Sequence, residues 1–281
     1  MAEIKQQVRE FYDRVGWRKE GDGVYQNARY EDLRPVASEY IHRCHLRVRR
    51  YLKPRGRFLL DAGSGPIQYP EYLTYSQGYQ HRVCLDISIV ALKEARSRIG
   101  SAGLYVVADV AALPFKPGVF DGIVSLHTLH HLTPEDQLQA YIDLQRVLAP
   151  GSSMVIVNGW NDSPLMRRLG WLVRLTEGLK RRLRDNPSNE ILLEERPETV
   201  RLEPTGTFVR KQNAAWLHNQ LDGKMNYEIL CWRSVSVRFL RAVIHQKLAG
   251  GLLLKVLYRL EERFPHWFGE QGQYPLVVVR K

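Results

Sequence analysis

Cysteine is scarce in this chain: three occur in 281 residues, Cys44, Cys84 and Cys231, with no pair at C-x-x-C spacing. That gives no basis for a disulfide framework or a cysteine zinc site. Long hydrophobic runs are missing too. The longest, around Leu252-Leu253-Leu254, falls far short of the roughly 20 residues that a membrane-crossing helix needs. Met1 to Gly16 is charged and periodic, where a secretory leader would set an apolar block behind a basic patch. No internal repeat or low-complexity linker divides the sequence. Acid is in deficit: 30 Asp and Glu stand against 41 Lys and Arg, a net charge of +11 that favours anionic partners. What is present, 44% hydrophobic and 25% charged residues, is the balance of a globular protein long enough for one sizeable core with elaborations. The expected location is a reducing cytoplasm.

The most telling segment leads from the apolar Phe58-Leu59-Leu60 into Asp61-Ala62-Gly63-Ser64-Gly65-Pro66, a strand followed by a tight glycine turn. Glycine suits a backbone that passes close to a ligand or turns through positive φ. A second strand, Arg82-Val83-Cys84-Leu85, ends in Asp86, 25 positions after Asp61 and close to the spacing at which dinucleotide-binding folds place an acid for ribose hydroxyls. Asp86 is equally placed to cap a helix that begins near Ser88. A third strand, Leu104-Tyr105-Val106-Val107-Ala108, ends in Asp109-Val110. Ligands of open parallel sheets sit outside the carboxyl ends of the strands, so three strands that each end in Asp predict a single crevice.

In order and spacing these pieces resemble the class I S-adenosylmethionine-dependent methyltransferases, specifically those of the ubiquinone/menaquinone-biosynthesis type. Asp61-Ala62-Gly63-Ser64-Gly65 is similar to their first motif, Leu85-Asp86-Ile87-Ser88 to the second, and Ala108-Asp109-Val110 with Leu113-Pro114-Phe115 to the third. Phe120-Asp121-Gly122-Ile123-Val124-Ser125-Leu126 resembles the fourth, and Leu144 to Gly151 the helix and turn before the fifth strand. The resemblance implies a doubly wound, mostly parallel, seven-stranded α/β sheet with a helical N-terminal extension and helical insertions. Its implied cofactor is S-adenosyl-L-methionine, used in a direct in-line methyl transfer. Carried over by motif, Asp61 and the amides of Gly63 and Gly65 hold the methionine end, with Ala62 in the same turn. Asp86, followed by Ile87, takes the ribose. Asp109 with the Val110 amide takes the adenine, and Ser125 and Leu126 lie beside the sulfonium by backbone contact. One departure is Ile67, which stands where many members carry a third glycine.

His127, His130 and His131 follow the fourth strand. Imidazole titrates near neutral pH, which makes His127 and His130 the candidates for taking a proton from a hydroxyl, phenol or amine; plain packing is the alternative. His131 precedes Thr133-Pro134, a helix N-cap with proline at the first helical position, and is expected to pack there. With no carboxylate or cysteine beside them, the three histidines give no metal site. Upstream, Ile4, Val8, Phe11 and Val15, and then Val36, Tyr40, Ile41, Cys44, Val48 and Tyr51, recur at helical spacing. In the resembled family such helices cover the cofactor mouth, and Phe11-Tyr12-Asp13 is similar to a segment that contributes a tyrosine, so Tyr12 joins the site.

The organisation expected is one domain over 1–281: N-terminal helices over 1–55, a cofactor-binding core over 56–159, a helical insertion over 160–206, and a remainder, 207–281, that completes the sheet around a second insertion from Phe239 to Phe264. In the first insertion a basic helix over 164–184 sets Leu165, Leu169, Leu172, Thr176, Leu179 and Leu183 on one face and Arg167, Arg174 and Arg181 opposite. A substrate lid, an anionic membrane contact, an RNA contact and a solvated face all fit that pattern. The function expected is methyl transfer to a small-molecule acceptor. Methylation of RNA, or of a lipid or quinone at a membrane, is the alternative, and a non-catalytic S-adenosylmethionine-binding scaffold the second.

Overall fold

Apolar runs bounded by glycine, aspartate or proline become the seven strands of one sheet: β1 (Gly56–Ala62), β2 (Tyr79–Asp86), β3 (Gly103–Val107), β4 (Phe120–Leu126), β5 (Leu148–Val157), β6 (Asn226–Arg233) and β7 (Tyr274–Arg280). The structure, a computed structural model, describes residues 2–18, 25–184 and 207–281. Strand order is β3-β2-β1-β4-β5-β7-β6. The first five strands run parallel, and β7 lies antiparallel between β5 and β6. Order reverses between β1 and β4, which opens a crevice at the carboxyl ends of those strands. Two apolar cores cover the sheet: Leu59, Cys84 and Val124 face one, Leu60, Val83 and Ile123 the other. Burial on both faces is why these strands read as continuous rather than alternating apolar runs.

The helices are α1 (Ala2–Phe11), α2 (Pro35–Leu46), α3 (Ile89–Ile99), α4 (Pro134–Val147), α5 (Pro164–Arg184), α6 (Ala214–Leu221), α7 (Val237–Val243), α8 (Gly250–Arg263) and α9 (Pro265–Gln271). Short polar residues cap them: Ser88 accepts from the Ala91 amide, Thr133 from Asp136, Asn213 from Trp216 and Ser236 from Phe239. Among the described residues no helix is long and apolar enough to cross a membrane.

Three elements differ from expectation. The N-terminal helix ends at Phe11 and widens into a π turn over Tyr12–Gly16. The helical run from Phe239 to Phe264 is broken, because Ala249 takes a left-handed φ of 55° and a side chain on Gly250 would crowd the His245 backbone. In α5 the inward stripe is Met166, Leu169, Leu172 and the buried Val173, whereas Leu179 is exposed with Trp171 and Leu175. Contact with α7 sets that rotation: the Ser236 amide donates to Met166 Sδ, and Arg238 pairs with Glu177. The side chains of Arg181 and Leu183, and the rest of the insertion over 185–206, lie outside the described residues.

Candidate active site

The turn after β1 forms a cradle because two glycines take conformations that side chains resist. Gly63 has φ 77° and Gly65 φ 54°. A Cβ on Gly63 would collide with the Thr128 side chain, and one on Gly65 would lie 3.0 Å from the Trp17 ring. Their amides are already engaged. Gly63 N–H donates to the Leu85 carbonyl (2.7 Å), as does Ser64 N–H (3.0 Å), and Gly65 N–H donates to Asp86 Oδ2 (2.9 Å). The expectation that these amides hold the methionine end is therefore corrected: they shape the turn. Ile67 keeps the left-handed backbone of the glycine it replaces, φ 57°, at a cost of about 1–2 kcal/mol. It is held there by complete burial and by Arg98 Nη1 donating to its carbonyl at 2.6 Å.

Each strand-end acid has a partner within the chain. Asp61 forms a buried ion pair with Arg82 of β2, whose Nε donates to Oδ2 at 3.1 Å; among the described residues Oδ1 accepts no hydrogen bond. Asp86 accepts from the amides of Gly65 and Ser88, so it caps the next turn and pins the cradle at once. Burial holds its carboxyl up at about 6, against the pull of those two amides. Asp109 accepts from the Ala111 amide and meets Lys5 of α1 at 2.6 Å; Lys5 also reaches Asp136.

One cavity of about 750 Å³ lies over the carboxyl ends of the strands. Its cofactor-like side is lined by Asp61, Gly63, Gly65, Asp86 and Ile87, continuing to Asp109, Val110 and Leu126. The N-terminal segment walls it: Tyr12 stacks on Trp17 with centroids 4.8 Å apart, and Asp13 accepts from the Ser88 hydroxyl. Tyr12 Oη lies 2.8 Å from His131 Nε2, while His131 Nδ1 lies 2.8 Å from the Phe208 carbonyl. A carbonyl only accepts, so the proton of His131 sits on Nδ1 and Tyr12 donates to Nε2. Two expected residues are off the wall. Ser125 is fully buried and donates to the carbonyl of the equally buried Ala62 at 2.8 Å, which staples β4 to β1.

The far side of the cavity is aromatic. His45 stacks on Trp232 with centroids 5.2 Å apart, Tyr274 meets Trp232 edge-on, and Tyr69 and Tyr72 pack beside His45. The buried Arg233 pairs with Glu31 next to them.

A family profile described as a methyltransferase domain matches residues 60–156. Over 146 residues the chain is 30% identical to the ubiquinone/menaquinone biosynthesis C-methyltransferase UbiE of Ruegeria sp., which covers 48% of this chain and 57% of that protein. Over 130 residues it is 30% identical to a Homo sapiens protein named "Probable tRNA methyltransferase 9B", covering 45% and 27%. Residues 60–156 of this chain form a methyltransferase domain. The chain spans little more than half, or less, of the length of these curated relatives. In fold, the chain is similar to geranyl diphosphate C-methyltransferase from Streptomyces coelicolor, with a TM-score of 0.52 at 13% identity over 99% of this chain and 97% of that one. It is similar also to the cyclase SpnF, with a TM-score of 0.53 at 17% identity over 99% and 96%. A cyclase on the same fold leaves the reaction to be argued from the site.

His127 and His130 behave differently from free imidazoles. His127 sits in a left-handed conformation, φ 55°, with its amide donating to the Val157 carbonyl. Burial pushes its ring down to about 3, and the nearby Arg233 adds to the effect. His130, 3.2 Å from Asn158 Oδ1, is likewise pushed well down by burial. Both line the cavity as neutral rings, which corrects the expectation that they titrate near neutrality. Lys5, Trp17, Arg82, Thr128, Lys211 and Trp232 were not singled out in the sequence for the site they line. Arg82 alone carried a signal, as a charge inside an otherwise apolar strand.

Proposed function

We propose that this chain binds S-adenosylmethionine in the glycine cradle and transfers its methyl group to a small molecule held in the aromatic part of the same cavity. The observation that carries this reading is the continuity of a glycine and carboxylate cradle with an aromatic compartment in one cavity. Bound S-adenosylmethionine supplies a methyl group on a sulfonium, open to attack by a nucleophile in line with the departing sulfur. The residues present fit it: the glycine turn brings backbone without side chains to the cavity wall, and carboxylates suit ribose hydroxyls and an ammonium. Asp86 accepts from the ribose, Asp61 through Oδ1 takes the methionine ammonium, and Asp109 with Val110 meets the adenine edge. Tyr12 and Trp17 keep water from the cradle, and the helices over 1–55 form its cover. Nδ1 of His130 faces Asn158, which leaves Nε2 able to take a proton from the acceptor.

Calorimetric titration with S-adenosylmethionine and S-adenosylhomocysteine tests the reading. Asp86→Ala is expected to weaken both by about 1.5–3 kcal/mol, the cost of removing a charged hydrogen-bond acceptor. Absence of binding in folded wild-type protein would overturn the assignment and favour a scaffold. A second reading, methylation of a lipid or quinone at a membrane surface, draws on Trp171 and Leu175, exposed on α5 beside the exposed Arg167, Arg168 and Arg174. Flotation with anionic vesicles that is lost in Arg168→Glu would support it; RNA retention lost in the same variant would support an RNA acceptor instead.

A further inference from the structure

The aromatic compartment holds hydrogen-bond donors without partners. Trp232 Nε1 and Arg233 Nε are buried with no hydrogen bond among the described residues. Glu31, the carboxylate beside them, is engaged by Arg233 and by the Asp32 amide. Lys211 lines the same cavity and has no ion-pair or hydrogen-bond partner among the described residues; burial alone depresses its ammonium, with no acid contributing. This lysine is not on a loose tether. The strap that carries it is fixed on both sides: Arg210 N–H donates to the His130 carbonyl (2.7 Å), Gln137 Nε2 to the Arg210 carbonyl (2.7 Å), and Asn161 N–H to the Gln212 carbonyl (2.9 Å).

A half-buried cation among unpaired donors is a costly arrangement, and an anion with lone pairs to share would relieve it. Neutral His127 and His130 next to it add no competing charge. The surrounding rings, Tyr69, Tyr72, Trp232 and Tyr274, offer flat apolar walls. An ammonium-bearing acceptor would meet Lys211 as a like charge, and the Glu31 carboxylate on that side is already paired with Arg233.

We propose that the acceptor is a planar aromatic molecule carrying an anionic oxygen group, a carboxylate or phenolate, seated among Trp232, Tyr274 and Tyr69 with its anion on the Lys211 ammonium. This rests on the reading of the aromatic compartment as the acceptor site. Lys211 is thus a specificity residue for the acceptor and plays no part in holding the cofactor.

A matched series that differs only in charge tests it: 2-naphthoate, 2-naphthylmethanol and 2-naphthylmethylamine, titrated calorimetrically at neutral pH with and without saturating S-adenosylhomocysteine. Naphthoate is expected to bind about tenfold more tightly than the alcohol, with the amine weakest. Lys211→Met should abolish that preference and leave S-adenosylhomocysteine affinity within about twofold, while Lys211→Arg should keep it. Lys255→Met, the same charge change on the exposed face of α8, should change nothing and so separates the site from the general field of the protein. Equal affinity for acid and alcohol, a preference that survives Lys211→Met, or failure of all three to bind would overturn the proposal. A Lys211-dependent preference in protein that ignores S-adenosylhomocysteine would support the anion site and overturn the cofactor assignment separately.

Discussion

On the cradle side of the cavity each strand-end carboxylate meets a partner from the chain itself: Arg82 for Asp61, two amides for Asp86, Lys5 for Asp109. On the aromatic side, Trp232 Nε1, Arg233 Nε and the Lys211 ammonium have none among the described residues. The cradle is thereby set in shape before any ligand arrives, and selects by that fixed shape. The aromatic side is left electrostatically incomplete and selects by what the ligand brings. Preorganisation of this kind lowers the ordering cost of binding on one side, while unpaired donors sharpen discrimination on the other.

If the cradle is held by its internal pairs, the largest effect should come from breaking the most buried one. Arg82→Met leaves Asp61 as a buried, unpaired carboxylate and is expected to destabilise the protein by about 3–5 kcal/mol in urea unfolding. A loss under about 1 kcal/mol would mean that water reaches Asp61 and that the cradle is not preset.

An intermediate effect should appear with pH. The Asp86 carboxyl is raised to about 6 by burial, so above that pH it is ionised and accepts from amides and from ribose hydroxyls; below it a proton occupies one oxygen. S-Adenosylhomocysteine affinity should therefore fall as pH drops below about 6, toward tenfold per unit. Folding stability should move the other way. A carboxyl whose pKa is raised in the folded protein contributes stability at low pH, and that contribution is lost as pH rises through 6. Calorimetry and chemical unfolding across pH 5 to 7.5 would read both, and parallel trends would break the assignment to Asp86.

The smallest effect belongs to Lys5→Met. Its pairs with Asp109 and Asp136 are partly exposed, and about 0.5–1 kcal/mol of stability is expected to go with them. Stopped-flow release of S-adenosylhomocysteine should quicken if α1 covers the cradle, and an unchanged rate would remove α1 from that role.

The same contrast sets how much was legible in the sequence. The cradle is contiguous: a glycine turn directly follows a strand, and each acid directly ends one, so local patterning places Asp61, Gly63, Gly65, Asp86 and Asp109 on one cavity. Roles were harder to read than places, because whether an amide is free depends on the neighbouring strand. Gly65 N–H and Asp86 stand 21 positions apart and meet only across the turn. Arg82 read as a strand residue because its counter-charge lies on β1, a neighbour only in the folded sheet. For His127 and His130, residue type suggested titration near neutrality, but solvent access is a property of the packed cavity. The aromatic compartment is assembled from α2, the turn after β1, the strap at Lys211, β6 and β7; no window of sequence contains it. Ile67 marks the opposite case, where the residue pattern departs and the backbone conformation does not.

The imidazole of His131 bears on traffic. The Tyr12 hydroxyl on one side and the Phe208 carbonyl on the other hang on the same ring, and both segments contribute to the cavity wall. A molecule that displaces either segment loosens a contact made through that ring, with the tautomer fixed by the other. The two segments are therefore mechanically linked, and a chemist would meet that linkage as one ligand slowing the departure of its neighbour.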